Sequence, residues 1–177
     1  MPVVEKITES LIHRNITRAV SDVFKTMLGR EPTQIASMDN LKARAWPRLG
    51  QNVENARPVV VGTVGFLGDM NGMLYLYIDL PLAHLATCHL LGMTEQELDA
   101  SSEEVVNDAI GELTNMTVGS FKNGLCDAGY PCKLTIPSIL RGTNFSIEPV
   151  SSTCRQIYYF ECAGHRLVTD ILMKTGD

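Results

Sequence analysis

The sequence predicts an α+β fold: a mainly antiparallel sheet with long helices packed on one face. Three observations lead there. Two long helical patterns each run into a glycine and then a proline. Apolar, β-branched runs come in pairs joined by turn residues. The strand–helix–strand alternation that builds a parallel sheet is absent.

The first helix is expected over residues 4–28, where Leu11, Ile12, Ile16, Ala19, Val20, Val23, Phe24 and Met27 recur at helical spacing. Gly29 supplies the stop, and Pro32 cannot continue a helix. Residues 37–55 are polar and mixed, with Trp46-Pro47 and Gly50, and read as irregular. PVVVGTVGFL (58–67) and MLYLYIDL (73–80) read as a hairpin around Gly68, Asp69, Asn71 and Gly72. A short apolar helix over 82–91 is closed by Gly92. Thr94 with Glu97, and Ser101 with Glu104, each have capping-box spacing. The second box opens the longest helix, about Ser102 to Asp127, ended by Gly129 and Pro131. CKLTIPSIL, FSIEPV, CRQIYYFEC and HRLVTDILMK follow as β-rich runs, with Ala163-Gly164 as the last turn. The segments AVSDVFKTMLGREPTQIA and AIGELTNMTVG form a loose internal echo.

Length and composition bound the function. A chain of 177 residues is expected to be one domain, residues 1–177. With 45% apolar and 20% charged residues it has the composition of an ordinary globular protein. A net charge of −5 gives no support to nucleic-acid binding. No apolar run is long enough to span a bilayer, and the first residues lack the order of a secretory signal, so a cytoplasmic protein away from membranes is expected. Five cysteines without a CxxC read as reduced thiols. His84, Cys88 and His89 lie close on one short helix, but no second cluster joins them, and no metal site is expected.

The long helix carries the chemistry. On a wheel at about 100° per residue, Val105, Val106, Ala109, Ile110, Leu113, Met116, Ser120, Phe121 and Gly124 form a core-facing arc. Asp108, Glu112, Asn115 and Gly119 fall roughly opposite, at i, i+4, i+7 and i+11. Most such faces are solvated surface. Here, however, Asp108 and Glu112 are like charges where a lysine partner would stabilise. Gly111 and Gly119 each cost up to about 1 kcal/mol inside a helix. Low relief beside a carboxylate–amide stripe suits a surface against which another backbone docks. Two acids on one outward face cannot flank a substrate as glycosidase carboxylates do.

Asp108, Glu112 and Asn115, followed after 21 intervening residues by Pro137, resemble the D/S-x3-E-x2-N…P signature of the CheC/CheX/FliY family. These are bacterial phosphatases of the chemotaxis response regulator CheY. VFKTMLG, VVVGTVGFLGDMNGMLYLYID and FKNGLCDAGYPCKLTIP also resemble CheX segments, so the likeness runs from about Ile16 to Ile171. The resemblance implies a CheC/CheX-like fold with a decayed internal duplication. The first helix offers only Ser21, Lys25 and Leu28 at the motif spacing, so one functional site is expected, as in CheX. The resemblance implies hydrolysis of the aspartyl phosphate of a CheY-like receiver, with Asn115 and Glu112 catalytic. A carboxamide both donates and accepts, so Asn115 would orient the attacking water. Glu112 would pair with the receiver's lysine, Asp108 and Gly119 would contact the partner, and Pro137 would be structural. No cofactor of its own is implied, because the receiver holds the Mg²⁺. A homodimer is implied as well. The alternative is a non-catalytic module that binds a response regulator or a flagellar component.

Overall fold

A computed structural model describes residues 7–35, 58–143, 147, 148, 150 and 152–175. Helix α1 (Glu9–Leu28) is capped by Thr8, whose hydroxyl accepts from the Leu11 N–H at 3.1 Å. It ends at Gly29, which takes the left-handed conformation at φ 60°. Every predicted core position of α1 is buried except Met27, which packs half-buried against the core. The irregular reading of 37–55 falls outside the described residues.

Strands β1 (Thr33–Gln34), β2 (Val59–Gly68) and β3 (Met70–Asp79) follow. The β2–β3 hairpin holds register from Val59↔Asp79 to Phe66↔Gly72. The chain bends at Asp69, as predicted, while the flanking residues stay extended because other strands claim them: Gly68 pairs with Cys132 and Met70 with Thr175. Helix α2 (Leu80–Leu91) starts at Asp79, whose Oδ1 accepts from the Leu82 N–H at 2.8 Å, and stops at Gly92. Helix α3 (Glu95–Asp99) opens with both halves of the Thr94–Glu97 capping box. The second predicted box does not form. Ser101 Oγ donates instead to the Leu98 carbonyl at 2.7 Å, and helix α4 (Glu103–Asp127) begins after Ser102. Strands β4 (Cys132–Leu134), β5 (Ser138–Gly142), β6 (Cys154–Cys162) and β7 (His165–Thr175) complete the fold. In FSIEPV, the described residues Ile147, Glu148 and Val150 are not strand, contrary to the sequence reading. The β6–β7 turn has two residues, Ala163 and Gly164, both at positive φ, as a mirror-image hairpin turn requires.

All described pairings are antiparallel, in the order β1-β6-β7-β3-β2-β4, with β5 also on β2. The order is symmetric about the β7–β3 pair. The strand after α1 crosses to the later hairpin (β6–β7), and the strand after α4 returns to the earlier one (β2–β3). The helix before each crossing strand, α1 and α4, carries one member of the sequence echo. The helices bury one sheet face, where Val60, Val64, Phe66, Leu74, Leu76, Ile78, Phe160, Leu167 and Ile171 meet α1, α2 and α4. On the other face Val59, Val61, Tyr77 and Val168 cluster. Beside them the Arg155 guanidinium grips the fully buried Asp170 carboxylate through two bonds, Nε–Oδ1 at 3.0 Å and Nη2–Oδ2 at 2.7 Å. Burial, reinforced by the Asp170 charge, raises the pKa values of the neighbouring Tyr75, Tyr77 and Tyr159 hydroxyls.

Candidate functional site

Packing fixes the rotation of α4 about its axis. Thr114 and Thr117, absent from the predicted core arc, are fully buried, Thr114 against Gly62 of the sheet. Their hydroxyls are satisfied by the helix itself, donating to the Ile110 carbonyl at 2.6 Å and the Leu113 carbonyl at 2.8 Å. Gly62 makes room for this approach, since a Cβ there would stand 1.9 Å from Thr114 Oγ1. Phe121 meets Phe66 edge-on at 5.9 Å between ring centres. On the α1 side, Gly124 lies against Asn15: a Cβ there would be 2.6 Å from Asn15 Oδ1. The N-terminal half is held by Arg141 of β5. Its Nε donates to Asn107 Oδ1 at 2.6 Å and its Nη2 to the Glu103 carbonyl at 3.2 Å.

With these contacts set, the stripe has one available direction. Asp108 and Glu112 are exposed, and Asn115 and Gly119 are half-buried on the same outward face. Asp108, Glu112 and Asn115 have no hydrogen-bond or ion-pair partner among the described residues. A Cβ on Gly119 would meet nothing within 4 Å, so the relief there is low. The structure thus brings the four predicted helix residues onto one outward helix face whose polar groups are unpaired among the described residues. Pro137 lies in the short connection between β4 and β5, half-buried, on the edge strand that flanks α4.

Other candidates fall away from this face. His84 and Cys88 line an open cavity of about 740 Å³ beside α2, together with Leu28, Leu80, Leu85 and His165. No α4 residue lines it. Among the described residues no group of three or more histidines, cysteines and acids could hold a metal ion. The five cysteines are free thiols. Sequence reasoning missed Asn107 and Arg141, because their pairing joins residues on separate elements and no local spacing signals it. No described helix is long and apolar enough to cross a membrane.

An antiparallel sheet with interleaved halves, carrying an acid–amide stripe on its long helix, defines a CheC/CheX-type protein. Solved structures of that type share the fold. The CheX chemotaxis protein from Vibrio vulnificus is similar with a TM-score of 0.71 at 21% identity, covering 92% of this chain and 96% of that one. A CheC-like superfamily protein from a Shewanella species gives 0.70 at 24% identity, covering 94% and 99%. A CheX from Borrelia burgdorferi, solved as a complex with CheY, BeF3 and Mg²⁺, gives 0.60 at 18% identity, covering 92% and 97%. No curated protein matches the chain. Residues 60–161 match the family described as chemotaxis phosphatase CheX, and the chain belongs to that family.

Proposed function

We propose that this chain accelerates hydrolysis of the aspartyl phosphate on a CheY-like receiver domain, with Asn115 as the catalytic residue and Glu112 as the residue that pairs with the receiver's lysine. One observation carries the reading: Glu112 and Asn115 stand side by side, unpaired, on the outward face of a helix whose rotation is fixed by buried contacts. An outward helix face suits a protein partner whose own pocket holds the reacting group. The Borrelia burgdorferi complex with CheY supports a receiver as that partner.

The receiver supplies the metal, the lysine and the phosphoryl group. This chain supplies order. The Asn115 carbonyl oxygen accepts a hydrogen bond from a water, and its amide N–H donates to a phosphoryl oxygen. The water is held in line, attacks phosphorus, and the bond from phosphorus to the aspartyl oxygen breaks. The carboxylate leaves, and the water's proton passes to the released phosphate or to solvent. Positioning is the main service required, because the loose transition state needs little covalent help. Glu112 fixes the orientation of the two proteins through a charge-assisted bond that strengthens as the interface excludes water. Asp108 and Gly119 lie along the same contact. Pairing of two copies belongs to the same proposal. A gel-filtration mass close to the 19.5 kDa of one chain at high concentration would count against it.

The experiment is phosphate release from a receiver phosphorylated with a small acyl phosphate, in the presence of Mg²⁺. Wild-type chain is expected to accelerate it and Asn115→Ala to lose about 10²-fold or more. Glu112→Ala is expected to lose about 30-fold in kcat/KM, the size of a missing partner in an interfacial charge pair. Tight receiver binding with no release would leave only the binding-module alternative.

A further inference from the structure

The edge strand beside α4 contains one residue too many. Leu134 of β4 pairs with Phe66, and Ser138 of β5 pairs with Thr63. Between those pairs β2 has Val64 and Gly65, whereas the edge strand has Thr135, Ile136 and Pro137. A surplus of one residue is a β-bulge. Thr135 satisfies both backbone groups of Gly65: its N–H donates to the Gly65 carbonyl at 2.9 Å, and its Oγ1 accepts from the Gly65 N–H at 2.8 Å. A Cβ at Gly65 would stand 3.0 Å from Thr135 Cγ2, so the missing side chain is part of the fit. Pro137 has no N–H to offer the ladder. Ile136 is the residue left over, and its side chain is 86% exposed.

The bulge lies next to the stripe. Arg141 meets Asn107 at one end of β5, and Ile139, two residues back, pairs with Gly62, against which Thr114 rests. The strand therefore runs antiparallel to α4, and the bulge falls further along, level with Asn115 and Gly119. On the helix wheel Asn107, Gly111 and Asn115 advance by about 40° at each step of four residues, so the flank that faces β5 grades into the outward stripe.

We infer that Ile136 is an apolar anchor of the receiver-docking surface, held out by the bulge to be buried against the receiver when Asn115 reaches the phosphoryl group. The inference rests on the proposed function. The stripe gives orientation and one charge pair through Glu112, but the exposed Asp108 beside it contributes little affinity at a solvated rim. A large aliphatic side chain next to the stripe adds the apolar burial that the polar groups lack. An isoleucine that is 86% exposed on a well-bonded bulge gains little from the fold's own core, and burial against a partner would give it a packing role.

The test is steady-state phosphate release at varied receiver concentration, with Ile136→Ser and Ile136→Asp. Both are expected to raise KM about ten- to a hundredfold, from the burial of one aliphatic side chain. They should leave kcat within about twofold and the melting temperature unchanged, because the side chain is exposed. Asn115→Ala moves kcat instead. An unchanged KM overturns the inference while the phosphatase reading stands. So does a loss of self-association at unchanged KM, which would assign Ile136 to a contact between copies. A wild-type chain that releases no phosphate overturns the underlying reading, and this one with it.

Discussion

The two long helices occupy equivalent places in an interleaved fold, and their outward faces have opposite fates. On α4 the motif positions Asp108, Glu112 and Asn115 have no partner among the described residues. On α1 the corresponding positions are Ser21, Lys25 and Leu28. Ser21 Oγ donates to Glu31 Oε1 at 3.2 Å, and Lys25 Nζ lies 3.5 Å from Glu31 Oε2. Leu28 is turned into the core at 2% exposure. One helix leaves its polar groups unpaired among the described residues, as the proposed docking role requires, and the other ties them to its own chain. A site for a macromolecular partner is recognisable by what it leaves unsatisfied at the surface.

The largest expected effect is on rate. Asn115→Ala should lower kcat about 10²-fold or more while leaving the melting temperature within a degree or two, since the side chain is half-exposed and unpaired. A matching loss of stability would mean that Asn115 belongs to the fold, and the contrast with α1 would collapse. Leu28→Ala should do the reverse. Removing a buried leucine costs roughly 3 kcal/mol of stability, read as a lower denaturation midpoint, and phosphate release by the folded fraction should be unchanged. A lost rate there would show that α1 keeps a working role.

Much of this is legible in the sequence. The caps at Gly29, Gly92 and Thr94, the two hairpins, and the outward direction of the stripe all follow from spacing within a few turns of chain. Long-range choices were not readable. Nothing local says that β1 crosses to β6 or that β4 and β5 both return to β2, because a short strand after a helix can pair with either hairpin. The burial of Thr114 and Thr117 was hidden because a wheel counts threonine as polar. Bonding to the carbonyl one turn earlier removes that polarity, and Gly62, distant in sequence, makes the space. The Ser101–Glu104 box failed because Ser101 found a nearer acceptor at Leu98. The site was legible where one helix carried it, and illegible where Arg141 and the β4–β5 bulge support it from another element.

Smaller effects sharpen the contrast. Gly119→Ala adds a Cβ into open space, so the chain itself should gain up to about 1 kcal/mol of helix stability. For a chain of this size that is a rise in melting temperature of about 2–4 °C. The same methyl group stands where the partner's backbone would come closest. A raised KM with a raised melting temperature is therefore expected, and an unchanged KM would remove Gly119 from the contact.

The smallest effect is on the silent helix. Lys25 and Glu31 are both largely exposed, at 66% and 61%. Exposed pairs contribute only a few tenths of a kcal/mol, and salt screens them. Lys25→Ala should leave stability within about 0.5 kcal/mol and phosphate release unchanged, as read by denaturant midpoint and by the release assay at two salt concentrations. The value of the variant lies in the direction of a surprise. If freeing Glu31 from Lys25 created measurable release in an Asn115→Ala background, the α1 face would be a latent second site held shut by its own ion pair. Leu28 argues against that outcome: with an aliphatic side chain packed inward at the amide's position, α1 has nothing there to hold a water.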